Sequence, residues 1–552
     1  MIAVCTFLLL FSCNQPEAPR RLEILFLGHD SKHHESEKLA DILLAEYFKA
    51  GINISYTNDL DDLNEKNLAY YDGLILYANY DSITAPQEKA LLNFVKNGKG
   101  FIPLHCASYC FRNSKEVVDL IGGQFKTHGQ DSFPAVIVKP DHPVMKDVPA
   151  FITFDETYVH DKISKDIEVL SERVEGDHRE PYTWVRSYGK GRVFYTAYGH
   201  DEKTFRNPGF LKLVQNGILW AVGEKARERL KAFTIADPGY RDGPVPNYEK
   251  KDPAPKVQES LSPEASMSLM QVPVGFTLEL FAAEPMVVNP IYINWDEKGR
   301  LWVIETVDYP NEIKEGDQGD DRIKILEDTD GDGKADKATI FADKLNIPTS
   351  FVFVNGGVLV SQAPSFIFLK DTNGDDQADI RQPLLKGWGK QDTHAQASNL
   401  RYGLDNQIWG VVGYSGFDGE INQDSIRFGM GLYRFSPDGK EFEYLSGTSN
   451  NTWGLGFSEE FDVFISTANN THSGFFGMPV RYPEKLGIRE TGVEKIDGHY
   501  GMHVATKNLR QVDVHGGFTA AAGHSLYTAR DFPKEYWNRV AFVNEPTGRL
   551  VH

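Results

Sequence analysis

Cysteine, positive charge and long apolar runs are scarce in this sequence, and each scarcity excludes a class of protein. Only four cysteines occur in 552 residues, which excludes a disulfide-stabilised scaffold. No Cys-x-x-Cys-His motif is present, so the chain encodes no covalent haem attachment of its own. Lys and Arg number 58 against 78 Asp and Glu, and the net charge of -20 repels phosphate backbones, so we expect no nucleic-acid partner. No segment reaches the roughly 18 apolar residues of a membrane-spanning helix.

The first 20 residues have the character of a targeting segment. A short apolar run ends in Leu10-Phe11-Ser12-Cys13, which resembles a lipobox, the signal in which the cysteine is acylated and becomes the mature N-terminus. No Lys or Arg precedes the run, and a plain cleaved signal peptide is the alternative. We predict a lipoprotein signal peptide and tether over residues 1–20. Lipidation of Cys13 would anchor the protein to a membrane of the cell envelope, in the periplasm or on the outer-membrane surface.

Residues 21–230 alternate between strand-like and helix-like segments. Apolar runs of strand length include LEILFLG, INISYT, DGLILYA and GKGFIPLHCA, and amphipathic stretches such as PQEKALLNFVKNG separate them. Regular alternation of this kind favours a parallel sheet with helices on both faces. We therefore predict a three-layer α/β domain over this range.

The texture changes after this domain. Residues 231–268 carry six prolines among charged residues without an apolar period, which predicts a linker. Residues 269–552 contain short apolar runs, many Gly and Asn, and frequent aromatics, which predict an all-β domain. The segment ILEDTDGDGKADKATIF is echoed 43 residues later by FLKDTNGDDQADIRQPL, a spacing typical of β-propeller blades. We predict about six blades and, because the chain stops inside an apolar run, a propeller that is incomplete at its C-terminus.

Two acidic loops in this repeat have the spacing of calcium ligands. Oxygen-bearing side chains alternate at positions 1, 3, 5 and 9 of each turn, and Ca²⁺ takes six to eight oxygen ligands. Gly333 occupies position 6 of the first loop, whereas Asp376 replaces it in the second. Two solvated acidic turns are the alternative. We predict two structural Ca²⁺ sites, with the ligands Asp328, Asp330, Asp332 and Asp336 in the first and Asp371, Asn373, Asp375 and Asp379 in the second.

Polar residues follow the predicted strands of the first domain, where open α/β sheets place their sites. Several histidines and carboxylates that converge on one sheet edge could bind a metal or transfer protons. The alternative for any single histidine is a surface or hydrogen-bonded loop residue. The candidates are His29, His33 and His34 after the first strand, His105-Cys106 after the fourth, and then His128, Asp155 to Tyr158, and His200-Asp201.

The first domain resembles the ThuA-like (trehalose utilisation) family across about residues 22–222. The resemblance is carried, in order, by GHDSxxH, YDGLILY, GKGFIPLHCAS, FDETY, GKGRVFYTAYGH and NPGF. It implies a class I glutamine-amidotransferase-like, flavodoxin-like fold and the metabolism of trehalose and related sugars through keto-sugar intermediates. It also implies a set of site residues: His105, Glu156 and His200 as catalytic groups, with His29, His128 and Tyr158 in substrate binding. Cys106 lacks the flanking glycines of an amidotransferase nucleophile, so a small buried cysteine is the alternative there.

The second domain resembles the "membrane-bound dehydrogenase" propeller of planctomycete-type haem-binding proteins, itself distantly similar to soluble quinoprotein glucose and sorbosone dehydrogenases. The resemblance is carried by VPVGFTLELFAAEPMVVNPIYINWDEKGRLWVIETVDYP, followed by DTDGDGKADK. It implies oxidation of a sugar or alcohol, with a quinone such as PQQ as candidate cofactor and a cytochrome c as candidate electron acceptor. His394 is matched to the quinoprotein base, with a hydrogen-bonded loop histidine as the alternative, and Arg401 is a candidate substrate-binding residue.

These observations leave two functions open. The first is an exported carbohydrate-active enzyme that joins a domain processing a keto-sugar or disaccharide to a sugar or alcohol dehydrogenase-like propeller. The second is a non-catalytic lipoprotein that binds carbohydrate or protein in a calcium-dependent manner. The two differ in whether His105, Glu156 and His200 face one pocket. A third reading, amidotransfer from glutamine, requires Cys106 on a strained turn beside a histidine.

Overall fold

The structure is a computed structural model that describes residues 18–488 apart from 30, 244, 245, 249, 312 and 317, together with 492–496, 520–545 and 550–551. Cys13 and most of the predicted signal segment lie outside these residues. The chain forms two compact units. The first runs to Asp237 and includes Glu264–Leu278, and the second comprises Pro238–Pro263 and continues from Glu279. In the part of the chain described, no helix combines the length and apolar character needed to cross a membrane.

The first unit contains an eight-stranded sheet with helices packed against it. The strands of the whole unit, eight of which form this sheet, are β1 (Leu22–Leu27), β2 (Ile52–Thr57), β3 (Gly73–Leu76), β4 (Gly100–Pro103), β5 (Gln124–Thr127), β6 (Gln130–Pro134), β7 (Val136–Ile137), β8 (Ile152–Glu156), β9 (Val159–Asp161), β10 (Glu168–Glu175), β11 (His178–Tyr188) and β12 (Gly191–Thr196). Its helices are α1 (Ser36–Tyr47), α2 (Glu65–Leu68), α3 (Ala85–Lys96), α4 (Lys115–Ile121), α5 (Glu202–Phe205), α6 (Pro208–Ala221) and α7 (Gly223–Ala232).

The strand order in this sheet is β2-β1-β3-β4-β12-β11-β10-β7. The first five strands of that order run parallel, and the last three continue the sheet antiparallel. Because β1, β3 and β4 are covered on both faces, nearly all of their side chains are buried, which explains their continuous apolar sequences. The predicted α/β domain is confirmed, and the carboxyl ends of β1, β4 and β12 lie at the same sheet edge.

Helix α6 packs closely on this sheet through a glycine. A Cβ atom at Gly217 would lie 2.5 Å from the ring of Phe194 on β12, closer than side chains approach one another. Pro208 stands in the first turn of the helix, where its missing N–H costs no hydrogen bond, and Asn207 caps the helix by accepting a hydrogen bond from the Gly209 N–H. The helix therefore starts at a defined residue and buries one face against β12.

The second unit is built from antiparallel strands in the part described. Its strands are β13 (Tyr240–Arg241), β14 (Val257–Gln258), β15 (Pro290–Trp295), β16 (Leu301–Glu305), β17 (Asp321–Glu327), β18 (Lys337–Leu345), β19 (Ser350–Val354), β20 (Gly357–Ser361), β21 (Ser365–Lys370), β22 (Ile380–Lys386), β23 (Ala397–Tyr402), β24 (Ile408–Val412), β25 (Phe417–Ile421), β26 (Asp424–Phe428), β27 (Gly431–Phe435), β28 (Phe442–Gly447), β29 (Thr452–Phe457), β30 (Val463–Thr467), β31 (Gly474–Phe476), β32 (Glu494–Lys495), β33 (Ala522–Leu526), β34 (Ala541–Glu545) and β35 (Leu550–Val551). Two short helices complete the list: α8 (Pro263–Met267), across the sequence boundary of the units, and α9 (Arg481–Lys485).

These strands form successive blades of a β-propeller. Four sheets have four strands each, in the orders β15-β16-β17-β18, β19-β20-β21-β22, β23-β24-β27-β28 and β29-β30-β31-β32, and β33-β34-β35 form a further three-stranded sheet. The first strands of consecutive sheets lie next to one another, from β15 through β19, β23 and β29 to β33. The predicted propeller is confirmed, with four complete blades in the described residues against the six expected from the repeat length.

The cores of this unit lie between neighbouring blades. Trp302 and Ile323 of the first blade pack with Phe351 of the second, and Phe366 of the second stacks at 4.5 Å on Trp388, in the cluster that contains Tyr433 of the third. Consecutive sheets therefore pack against one another through apolar side chains, as the apolar runs at regular spacing require.

Candidate functional site

His105 begins a 3-10 turn, His105–Tyr109, directly after β4. Its backbone has φ of 44°, in the left-handed region that costs a side-chain-bearing residue about 1–2 kcal/mol. Its side chain is fully buried, and its ring Nδ1 lies 2.7 Å from the Ala197 carbonyl oxygen. A carbonyl only accepts, so Nδ1 carries a proton and donates it there. This bond orients Nε2 toward Glu156.

Glu156, at the end of β8, is the centre of the site. Its Oε2 lies 3.3 Å from Nε2 of His105, and its Oε1 lies 3.3 Å from Nδ1 of His200 and 3.5 Å from Nδ1 of His128. Burial opposes ionisation of the carboxyl group, but the three histidines outweigh it and lower the pKa of Glu156 below its usual value. The site therefore holds a carboxylate at neutral pH.

His200 is held by the residue that precedes Glu156. The carboxylate of Asp155 accepts backbone hydrogen bonds from Gly199 at 2.8 Å and from His200 at 3.1 Å, and a side-chain bond from Thr204 at 3.0 Å. Gly199 adopts φ of 127°, which residues with a Cβ rarely reach. The turn after β12 is thereby fixed, with the His200 ring directed at Glu156. Asp155 was noted in the sequence motif, but its positioning role is visible only in the structure.

His34, one of the sequence candidates after the first strand, is a member of the site to which the family resemblance assigned no role. Its ring centroid lies 5.5 Å from that of His105 and 5.3 Å from that of His200. Burial and the neighbouring histidines lower the pKa of His34 to about 2, so its ring is neutral. Its neighbour His33 is exposed. The sequence alone does not show which of two adjacent histidines is buried. His29, the predicted substrate residue, is buried behind His34 with ring centroids 5.8 Å apart.

A cavity of about 270 Å³ opens beside Glu156, and its size suits a sugar-sized molecule. Tyr158 lies in its wall and stacks on the His105 ring with centroids 4.3 Å apart. The predicted residues His128 and Tyr158 thus share a wall with Glu156. The lining residues are His33, His34, Asn79, Cys106, Tyr109, Phe125, His128, Glu156 and Tyr158.

Cys106 does not have the features of a nucleophile. Its side chain is buried, and burial first of all raises the pKa of its thiol well above the usual value, so the reactive thiolate is disfavoured. The strained backbone of the turn belongs to His105 rather than to Cys106. The buried thiol of Cys106 and its unstrained backbone therefore argue against amidotransfer from glutamine.

The propeller candidates are not gathered as the first-unit residues are. His394 is 60% exposed and contacts Asp392 at 3.3 Å and the ring of Tyr309. Arg401, on β23, has no hydrogen-bond partner for its buried Nε within the described ranges. Gln396, which sequence reasoning missed, directly precedes the inner strand β23, and the weaker sequence candidate Asn451 directly precedes β29. Both are buried, and the Gln396 amide and the Asn451 Oδ1 find no partner in the described part of the chain.

The two acidic loops adopt the same local structure. Carboxylate oxygens of Asp328, Asp330 and Asp332 lie within 4.8 Å of one another. Asp328 also accepts hydrogen bonds from the backbone N–H groups of Gly331 and Gly333, and Asp371 accepts the equivalent bonds in the second loop. The carboxylates at position 9 turn to the threonine at position 2 instead, as Asp336 to Thr329 and Asp379 to Thr372. The predicted calcium ligands thus meet only in part.

Comparison with known protein families follows the division into two units. Residues 262–552, more than half of the chain, match the family described as a domain of unknown function, DUF7133. The chain belongs to the DUF7133 family. Residues 23–221 match the family described as ThuA, trehalose utilisation. The predicted resemblance of the first unit is confirmed: it is a ThuA domain with the glutamine-amidotransferase-like fold, and it precedes the DUF7133 propeller.

Solved structures similar to this DUF7133 protein divide in the same way. A ThuA-like protein from Bacteroides uniformis is 22% identical, with 38% of this chain and 94% of that chain covered and a TM-score of 0.33. One from Parabacteroides merdae is 19% identical, with 37% and 90% covered and a TM-score of 0.33. The PQQ-bound aldose sugar dehydrogenase from Streptomyces coelicolor is 11% identical, with 48% and 76% covered and a TM-score of 0.30. A search of the curated proteins found no match.

Proposed function

We propose that this protein is an exported carbohydrate-active enzyme. In this proposal the ThuA domain processes a keto-sugar or disaccharide, and the propeller acts as a sugar or alcohol dehydrogenase-like unit. The match of residues 23–221 to a trehalose-utilisation family supports a carbohydrate substrate. The single observation that carries the enzymatic proposal is the position of Glu156, within 3.5 Å of three histidines and in the wall of a cavity.

The chemistry that this arrangement supports is proton transfer next to a sugar carbonyl. A carboxylate within hydrogen-bond reach of substrate can remove a proton from the carbon beside a carbonyl, and the C–H electron pair then forms an enolate. A protonated histidine nearby can donate a hydrogen bond or a proton to the oxygen that gains charge. His128 and His200 are partly exposed and contact Glu156, so either can serve this role. No change of oxidation state is needed in this step.

The propeller half of the proposal depends on its own polar residues. A bound quinone such as PQQ would supply the electron acceptor for a sugar or alcohol, and a cytochrome c would take the electrons onward. Gln396, Asn451 and Arg401 suit a polar cofactor, because each has a buried polar atom without a partner among the described residues. His394 is exposed enough to meet a substrate as a base.

Export and anchoring are part of the same proposal. The lipobox-like sequence that ends at Cys13 supports a lipoprotein of the cell envelope, and the acidic loops support structural Ca²⁺ there. The alternative, a non-catalytic calcium-dependent binding protein, is supported by the cluster of Asp328, Asp330 and Asp332. The convergence of His105 and His200 on Glu156, which itself lines the cavity, favours the enzyme, because a binding scaffold does not need buried histidines around a carboxylate.

A substrate screen tests the enzymatic proposal. Purified protein is incubated with trehalose and with its keto derivative, and products are followed by NMR in wild type, Glu156→Gln and the control variant His178→Ala. We expect turnover of the keto-sugar by wild type and the control, and a loss of about 10²–10⁴-fold in rate for Glu156→Gln, the usual contribution of a general base. Equal rates in Glu156→Gln and wild type would contradict the proposed role of this carboxylate.

A further inference from the structure

Four side chains form a cluster beside the cavity: His34, His105, Glu156 and His200. Each offers one ligand atom, and these four atoms all lie within 4.8 Å of one another. Three of the residues are buried, and the His200 side chain is 27% exposed. They come from the ends of three parallel strands and of β8, so the fold itself gathers them.

Two of the separations match the ligand spacing of a tetrahedral metal site. Zinc–nitrogen and zinc–oxygen bonds of about 2.0–2.2 Å place neighbouring ligands of a tetrahedron about 3.3–3.5 Å apart. Glu156 lies 3.3 Å from His105 through Oε2 and 3.3 Å from His200 through Oε1. A single ion between these groups would therefore require little movement of the side chains.

Four ring nitrogens of the three histidines have no hydrogen-bond partner in the described part of the chain. They are both ring nitrogens of His34, Nε2 of His105 and Nδ1 of His200. His105 donates a hydrogen bond from Nδ1 to the Ala197 carbonyl oxygen. A histidine that binds a metal through one ring nitrogen is typically oriented by such a bond from the other. The Nε2 of His105 faces Oε2 of Glu156 at 3.3 Å, a separation that either a proton or a metal ion between the two atoms makes favourable. Buried polar atoms without hydrogen-bond partners are rare, and such atoms on three neighbouring histidines indicate a ligand that the three rings share.

A second histidine–glutamate cluster in the same unit shows the contrast. Nδ1 of His160 donates a hydrogen bond to the Glu180 carboxylate at 3.0 Å, and its Nε2 forms one with the Tyr195 hydroxyl at 3.0 Å. His178 lies 3.2 Å from the other oxygen of Glu180. Glu180 and Tyr195 thus satisfy both ring nitrogens of His160 without any ion, whereas the rings around Glu156 keep unpartnered nitrogens in the residues described. This difference in hydrogen bonding indicates that the Glu180 cluster is structural and that the Glu156 cluster can bind a ligand.

We propose that these four residues bind one divalent first-row transition-metal ion such as Zn²⁺. Three imidazoles and one carboxylate suit such an ion better than Ca²⁺ or Mg²⁺, which prefer oxygen ligands. His34 and Glu156 also line the cavity, so the ion would border the space for substrate and could polarise a sugar oxygen there. The inference goes beyond the proposed function, because proton transfer by Glu156 alone would not require a metal.

Metal binding by the full chain tests this site directly. The protein is stripped with a chelator, and Co²⁺ is then added while visible absorption is recorded, followed by competition with Zn²⁺. We expect one Co²⁺ per chain with the absorption bands of nitrogen coordination, and displacement by Zn²⁺. We expect Glu156→Ala and His200→Ala to weaken binding more than about 100-fold, beyond the 10–100-fold typical of outer-shell changes. Circular dichroism of both variants is the control that they fold.

Matched variants separate this site from other candidates. His178→Ala should leave Co²⁺ binding unchanged, as should Asp328→Asn, which removes a carboxylate of the acidic loop. Cys106→Ser examines the neighbouring group of His29, His34 and Cys106, whose ligand atoms also lie within 4.8 Å of one another. Binding that survives Glu156→Ala and disappears in Cys106→Ser, or no stoichiometric binding in wild type, would overturn the proposal. Keto-sugar turnover by a protein that binds no metal would overturn it and leave the proposed function intact.

Discussion

The ionisation of buried carboxyl groups in the ThuA domain depends on which side chains surround each of them. Glu156 is surrounded by His105, His128 and His200, and its pKa is lowered despite burial. Glu23, on β1, is half-buried; one of its oxygens accepts a hydrogen bond from Asn53 and the other has no partner in the residues described. Burial therefore raises the pKa of Glu23 to about 7. The same residue type is charged at one position and protonated in mildly acidic solution at the other.

Glu23 predicts a dependence of stability on pH. Its folded pKa of about 7 lies above the ordinary 4.5, so between these values the folded state binds more protons than the unfolded state. The free energy of unfolding should therefore fall as pH rises from about 4.5 to 7, by about 1–3 kcal/mol from this group. Glu23→Gln should remove this contribution in denaturant unfolding measured at pH 5 and pH 8. The exposed Glu116→Gln is the control, and an equal pH dependence in Glu23→Gln and wild type would contradict the prediction.

At the scale of the element, helix α6 depends on a close contact with β12. An alanine Cβ at Gly217 would meet the Phe194 ring at 2.5 Å, so the helix or the ring must move. We expect Gly217→Ala to lower the free energy of unfolding by about 1–3 kcal/mol, the usual cost of overpacking a core. Lys212→Ala, on the same helix, should change it by less than about 0.5 kcal/mol. Denaturant unfolding measures both, and a Gly217→Ala variant as stable as wild type would show that the helix shifts freely.

The acidic loops are the elements that test the calcium proposal. Asp328 and Asp371 each organise a turn by accepting backbone hydrogen bonds, which leaves oxygens of the first loop close together. If Ca²⁺ binds there, chelation should lower the thermal midpoint of the propeller and added Ca²⁺ should restore it. At a concentration 100 times the dissociation constant, Ca²⁺ should add about 2.7 kcal/mol to the free energy of unfolding. The double variant Asp328→Asn, Asp371→Asn should not respond. Asp424→Asn is the control, and a midpoint that chelation leaves unchanged would count against calcium.

At the scale of the whole molecule, the chain has two units with separate cores. The core of the ThuA domain is one cluster, and those of the propeller lie between blades. We expect calorimetry of the full chain to show at least two unfolding transitions. Gly217→Ala should lower the midpoint of one transition, and Asp328→Asn with Asp371→Asn should affect the other. A single transition that both sets of variants shift equally would show that the units unfold together.

Much of the fold could be predicted from the sequence because it depends on local patterns. The apolar run of β1 predicts a buried strand, and the amphipathic pattern of α6 predicts a helix with one buried face. The repeat of 43 residues predicts consecutive blades. The site was predictable only in part. His105, Glu156 and His200 were named through family resemblance, whereas His33 and His34 were both candidates and neither was assigned a role. Which of two adjacent rings turns inward depends on the path of a loop, and no periodicity encodes it.

The sequence by itself determined the two-part architecture of this protein, since strand and helix periods, prolines and repeats act over a few residues at a time. Only the tertiary structure decided which polar groups meet. It places His34, His105 and His200 around one carboxylate and leaves His394 exposed on the propeller. The physical reason is that hydrogen bonding and electrostatic interaction depend on distances of a few ångströms between residues far apart in the chain. Packing sets those distances.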